Sequence, residues 1–167
     1  MTLPHDRVSF GAHAFPFSGF HADGGQRPAL PLLPVRLRKP GGVWSRPINA
    51  ILDTGSTKTV FPAGVDQLTG IEPPGQRHRI GGLGKGADAV SLVVDLAIVD
   101  ASFPSISCWE FSGLGVEMVL APDDLDHPVL GWDLLSAFEL VVSAEDARIE
   151  LRPTKGLLRG HRDDRLG

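Results

Sequence analysis

The chain has 167 residues, 16 Lys/Arg against 20 Asp/Glu and a formal net charge of −4, a size that suits one domain with tails. A single cysteine, Cys108, excludes an intrachain disulfide and a zinc site built from several thiolates, and no run of 18 apolar residues exists to form a membrane-crossing helix. Residues 29 to 151 carry nine Lys/Arg against sixteen Asp/Glu, a balance that argues against a nucleic-acid surface.

The first 28 residues mix Phe, His, Gly and Pro without period and are expected to form an irregular arm, with "VSFGAHAF" a candidate added strand. They lack the basic start and apolar middle of a signal peptide, so a cytoplasmic location is expected. The six histidines never fall at a ligand-like spacing with one another. From residue 29 to 152 the Val, Ile and Leu residues come in short runs between Gly and Pro, and no segment holds a helical period beyond about two turns, which predicts an all-β domain. "ALPLLPVRLRK" reads as a strand, "PGG" as its turn, and "VWSRPINAILD" as a returning strand that ends on Asp53, with Pro47 placing its start near an edge.

"TKTVFP" predicts a short strand, and "AGVDQLTGIEPPGQ" a connection with one helical turn. "RHRIGGLGKGADAVSLVVDLAIVD" is the clearest hairpin, with a glycine-rich tip and a long second arm. "SISCWEF" and "VEMVLAP" read as two further strands, and "DDLD" as a solvated loop. The segment "HPVLGWDLLSAFELVVSAEDARIELRP" then reads as strand, short helix "LLSAF" capped by Asp133, strand, turn and strand. Residues 153 to 167 form a basic tail, and Cys108 is expected to be a small core residue.

The apolar run into Asp53-Thr54-Gly55-Ser56 is the segment that carries chemistry, because an ionised carboxylate is costly to hold away from water. Alone it fits a tight turn, a phosphate loop like that of actin-like kinases, or an aspartic-protease active-site loop. Two later segments vote for the last of these. "HRIGGLGKGA" places an apolar-Gly-Gly-apolar-Gly pattern 28 residues beyond Asp53, and "HPVLGWDLLSAFEL" supplies an apolar-apolar-Gly-x-x-Leu-Leu segment. With these three motifs in this order, the sequence resembles the retroviral-type (retropepsin-like) aspartic proteases, of the kind found outside viruses, over roughly residues 30 to 151.

The resemblance implies a closed β-barrel with a flap hairpin and one short helix near the C-terminal end. It implies peptide cleavage by water between two carboxylates that share a proton, with no cofactor and no metal. One Asp-Thr-Gly per chain then implies a homodimer in which Asp53 meets its symmetry mate, acting on a peptide or protein substrate. By the same resemblance, the catalytic loop is Asp53, Thr54 and Gly55, with Thr54 anchoring the paired loops across the interface. Ser56, whose hydroxyl would bond the carboxylate, and Ile80, Gly81, Gly82, Leu83 and Gly84 of the flap would bind substrate. Residues 148 to 152 or the first 28 residues would supply the strand that pairs the subunits.

Retroviral members place an Asp four residues after the catalytic Asp and pair it with an Arg after the later motif's glycine; here those positions are Thr57 and Trp132, and Lys85 replaces a flap glycine. These departures leave open a non-catalytic domain of the same fold that binds peptide or oligomerises. The nucleotide-binding reading stays as a third alternative, although the chain is short and poor in helix for it.

Overall fold

The computed structural model describes residues 12–16, 21–22, 25–26, 32–73, 75–82, 86–143 and 145–155. The flap tip (Leu83, Gly84 and Lys85), the first half of "VSFGAHAF" and the tail beyond residue 155 lie outside the described residues. In chain order the elements are β1 (His13–Pro16), β2 (His21–Ala22), β3 (Gly25–Gln26), β4 (Leu32–Arg38), β5 (Ile48–Leu52), β6 (Val60–Phe61) and α1 (Val65–Thr69). They continue as β7 (His78–Ile80), β8 (Ala87–Val99), β9 (Ser107–Val119), a 3₁₀ turn (Pro122–Asp124), β10 (Val129–Leu130), α2 (Trp132–Leu135), β11 (Phe138–Ser143) and β12 (Arg148–Pro153). As composition implied, the protein is all-β.

Alternation decides which way each strand faces. In β4, Leu33, Val35 and Leu37 are fully buried while Arg36 and Arg38 point outward. The first half of β4 pairs antiparallel with β5 and its second half with β8, Val35 standing opposite both Ile48 and Ile98. That switch of partner closes a six-stranded barrel in the order β4-β5-β10-β6-β9-β8, with β7 added outside β8 as the flap's first arm. A second sheet, β1-β12-β11, lies against it, and Phe15, Ile149, Leu151 and Phe138 join the barrel's core from that side. Phe15, 1% exposed, contributes about 1.5–3 kcal/mol of burial to holding β1 in place.

The structure corrects three expectations. "SISCWEF" and "VEMVLAP" are one 13-residue strand, β9, that runs straight through Ser112-Gly113-Leu114-Gly115. The segment carries a bulge: Gly113 has φ 64°, and the register shifts so that Ser112 and Gly113 of β9 stand against the single residue Asp95 of β8. Asp95, 4% exposed, is satisfied there by Arg38 Nε at 2.9 Å and the Gly113 N–H at 3.1 Å.

The helix, second, is Trp132–Leu135 rather than "LLSAF", and its N-cap is Gly131; Asp133 lies within the first turn and is used elsewhere. Third, β12 is the middle strand of its sheet, hydrogen-bonded to β1 on one side and β11 on the other. Its residues 148 to 152 therefore offer no free edge to a second chain. The outer edges of that sheet belong to β1 and β11.

Candidate active site

Strand β10 sits between β5, which it parallels, and β6, which it opposes. The chain leaving β5 at Leu52 must therefore cross over the end of β10 to reach β6, and residues 53 to 59 are that crossing. Ladder bonds run on into the crossing, since the Asp53 N–H donates to Leu130 O at 3.1 Å.

The segment that follows β10 is fastened beneath this loop. The Trp132 N–H donates to Ser56 O at 2.9 Å and the Asp133 N–H to Thr57 O at 3.3 Å. The Trp132 indole Nε1 donates to Thr54 O at 2.6 Å. The Asp133 carboxylate accepts the Thr59 hydroxyl at 2.7 Å and the Thr59 N–H at 2.9 Å, as well as its own helix's Leu134 N–H at 2.9 Å. Thr59, wholly buried, in turn accepts the Gly131 N–H at 3.2 Å.

Gly131 lies so close under the loop that a Cβ would stand 2.4 Å from the Lys58 carbonyl carbon and oxygen, so glycine is the residue this crossing admits. Where retroviral members join these segments by an Asp–Arg pair, Thr57 and Trp132 join them by backbone bonds and an indole N–H. No charge is left without a partner by that exchange.

Asp53 itself is exposed in the single chain, not enclosed as the apolar approach suggested. Ala50 and Leu52 of the strand are buried, and the carboxylate then emerges on the barrel's rim. Gly55 folds back so that its N–H donates to Asp53 Oδ1 at 2.8 Å, and a Cβ on Gly55 would touch that oxygen at 3.1 Å. The Ser56 hydroxyl does not bond the Asp53 carboxylate but donates to Lys58 O at 2.7 Å, stiffening the loop.

Across from the loop lies the base of the flap. Asp53, Gly55, Ser56, Gly81 and Gly82 line one cavity of about 220 Å³, closed at the back by Val60 and Val129. Gly82 has φ 88° and Gly86 φ 78°, conformations that bend the chain into and out of the flap tip. Ile80 does not face this cavity's lining; it packs with Val60, Ala87, Val119 and Leu125 as the flap's apolar footing. A larger groove, about 670 Å³, lies between the start of β5, α1 and residues 126–128, and among the described residues none of the expected site residues lines it.

Among the described residues, one group of three side chains could hold a metal ion: His13, Asp100 and Cys108. Spacing along the sequence gave no sign of it, because 95 positions separate His13 from Cys108. Cys108 is buried, and its thiol is pushed up to about 12 by that burial first and by the Asp100 charge second.

No protein-family model and no curated protein matches this chain. Among solved structures, it is similar to a retropepsin-like aspartic protease from Rickettsia conorii, with a TM-score of 0.52 and 16% identity over 87% of this chain and 94% of that one. EIAV protease complexed with the inhibitor HBY-793 aligns with a TM-score of 0.42 and 19% identity, over 69% of this chain and 95% of that one. The chain has the retropepsin-like fold. The all-β barrel leaves no place for the two α/β domains of an actin-like kinase, which removes the phosphate-loop reading of Asp53. No helix among the described residues is long and apolar enough to cross a membrane.

Proposed function

We propose that the protein is an aspartic endopeptidase whose catalytic pair is Asp53 from each of two identical subunits. The observation that carries this reading is the braced crossing loop: residues 54 to 59 are tied at several points to residues 131 to 133, and Asp53 is held out on the rim facing the flap base. A turn with no task beyond reversing the chain has no need of such bracing around an exposed carboxylate.

The second carboxylate comes from a second copy, because the other acid beside the loop, Asp133, already accepts three hydrogen bonds. A twofold axis sets Asp53 opposite itself. Two carboxylates about 3 Å apart cannot both ionise, so the pair holds one proton between them. The ionised member takes a proton from a water molecule as that water attacks the scissile carbonyl carbon, and the protonated member donates to the carbonyl oxygen. Collapse of the tetrahedral intermediate expels the amine, which receives a proton from the pair. Gly55 lets an extended substrate backbone lie against the loop, while the flap of Gly81, Gly82, Leu83 and Gly84 closes over it and excludes water.

The sheet edge that joins the copies is β11. It follows directly from α2, so joining there brings both braced loops towards the axis, and it leaves Val142, 61% exposed, on the face it shares with core residue Ile149.

The test is cleavage of a peptide library between about pH 4 and 7, with and without a statine-type inhibitor. Wild-type protein should cleave at apolar sites and be inhibited, and Asp53→Asn should form the dimer without cleaving. Undiminished cleavage by purified Asp53→Asn rejects the assignment. A dimer that binds peptide without cleaving it supports the non-catalytic reading instead.

A further inference from the structure

Three donor side chains that are remote in sequence meet where the N-terminal strand crosses the barrel. His13 is on β1, Asp100 follows the last residue of β8, and Cys108 is the second residue of β9. One ligand atom from each lies within 4.8 Å of the other two, and His13 Nδ1 is 3.4 Å from Cys108 Sγ. A sulfur and a ring nitrogen bound tetrahedrally to zinc, at about 2.3 and 2.1 Å, are about 3.6 Å apart. The His13–Cys108 pair, at 3.4 Å, already stands close to that separation, and the carboxylate, within 4.8 Å of both, has at most about 1.5 Å to close to complete three ligands.

Each donor is also aimed by a neighbour. The His13 ring stands edge-on to Trp109 at 4.9 Å and 82°. Asp100 Oδ1 accepts the Ser102 and Phe103 N–H groups, both at 2.8 Å, which fixes the carboxylate and leaves Oδ2 for a further bond. Cys108, 2% exposed, is held by the core behind it. Such outer contacts are what orient metal ligands.

A Cys, a His and an Asp at these distances also invite comparison with a nucleophile and its base. The thiol's burial and its neighbouring carboxylate oppose that role, since both disfavour the thiolate in the absence of a cation.

We propose that His13, Asp100 and Cys108 bind one divalent transition-metal ion, Zn²⁺ by their mixture of nitrogen, oxygen and sulfur donors, and that this ion clips β1 to the end of the β8–β9 hairpin. On binding, the Cys108 thiol releases its proton to solvent and coordinates as thiolate; no electron is transferred. His13 and Asp100 are half-buried, so the fourth position opens towards water. The clip closes a loop of most of the chain and secures a strand otherwise held by the four-residue ladder to β12 and by Phe15. It stands whether or not Asp53 is catalytic.

The test is titration of the metal-free full chain with CoCl₂ and then ZnCl₂. One equivalent of Co²⁺ should give a thiolate-to-cobalt charge-transfer band with tetrahedral visible absorption. Zn²⁺ should bleach that band and raise the melting temperature. Cys108→Ala should abolish the band, and His13→Gln and Asp100→Asn should each weaken Zn²⁺ binding by about tenfold or more. Asp100→Asn keeps the acceptor of its turn, and His13 is on an edge strand, so these two variants decide the matter if Cys108→Ala does not fold. Absence of the band from the wild-type protein, or zinc stabilisation undiminished in His13→Gln and Asp100→Asn, overturns the proposal.

Discussion

Replacing Asp133 by alanine tests whether the crossing loop is braced as described. The carboxylate accepts the Thr59 hydroxyl at 2.7 Å, the Thr59 N–H at 2.9 Å and the Leu134 N–H at 2.9 Å. Leu134 keeps a second partner in Gly131 O at 3.1 Å, so its loss is small. Thr59 has no exposure to water, and both of its donors lose the Asp133 carboxylate. An orphaned buried donor costs about 1–3 kcal/mol.

Water entering the space left at half-exposed Asp133 reduces the sum, and the expected loss is about 3 kcal/mol, a large fraction of a typical domain's stability of about 5–15 kcal/mol. Asp133→Asn keeps one acceptor oxygen and should lose about half as much. The assay is urea denaturation of wild type and both variants at one protomer concentration, since dimerisation contributes to apparent stability. If Asp133→Ala unfolds within about 0.5 kcal/mol of wild type, the bracing carries no energy and the account of the loop is wrong.

Gly131→Ala should be more damaging still, because its Cβ would meet Lys58 backbone atoms at 2.4 Å; insoluble protein or a loss above about 3 kcal/mol is expected. Gly115→Ala, which meets nothing within 4 Å, should stay within about 1 kcal/mol in the same denaturation series. Trp132→Phe keeps an aromatic ring but deletes the donor to Thr54 O, so kcat/KM for a cleaved peptide should fall by up to about tenfold with little change in melting temperature; an unchanged kcat/KM would show the indole N–H to be idle. The Cys108 thiol of the metal-free folded protein should react with a disulfide reagent at pH 8 at least about 100-fold more slowly than in urea, and equal rates would contradict its burial.

Local pattern made much of this protein legible. Leu33, Val35 and Leu37 against Arg36 and Arg38 is a period of two that only a half-buried strand satisfies, and Gly82 and Gly86 announce the bends of a hairpin tip. The order of Asp53, Gly81 and Gly131 along the chain pointed to one fold because each residue answers a backbone demand: a carboxylate after a buried strand, a bend, a close crossing. What the sequence concealed are relations between segments far apart. "SISCWEF" and "VEMVLAP" read as two strands, since nothing nearby reveals that Ser112 and Gly113 bulge opposite Asp95 and leave one strand unbroken. Asp133 read as a cap, since its partner Thr59 is 74 positions earlier. His13, Asp100 and Cys108 meet only because β12 carries β1 across the barrel. Side-chain periodicity is written in neighbouring residues, whereas which distant polar groups share a site is decided by how the sheets close around a common core.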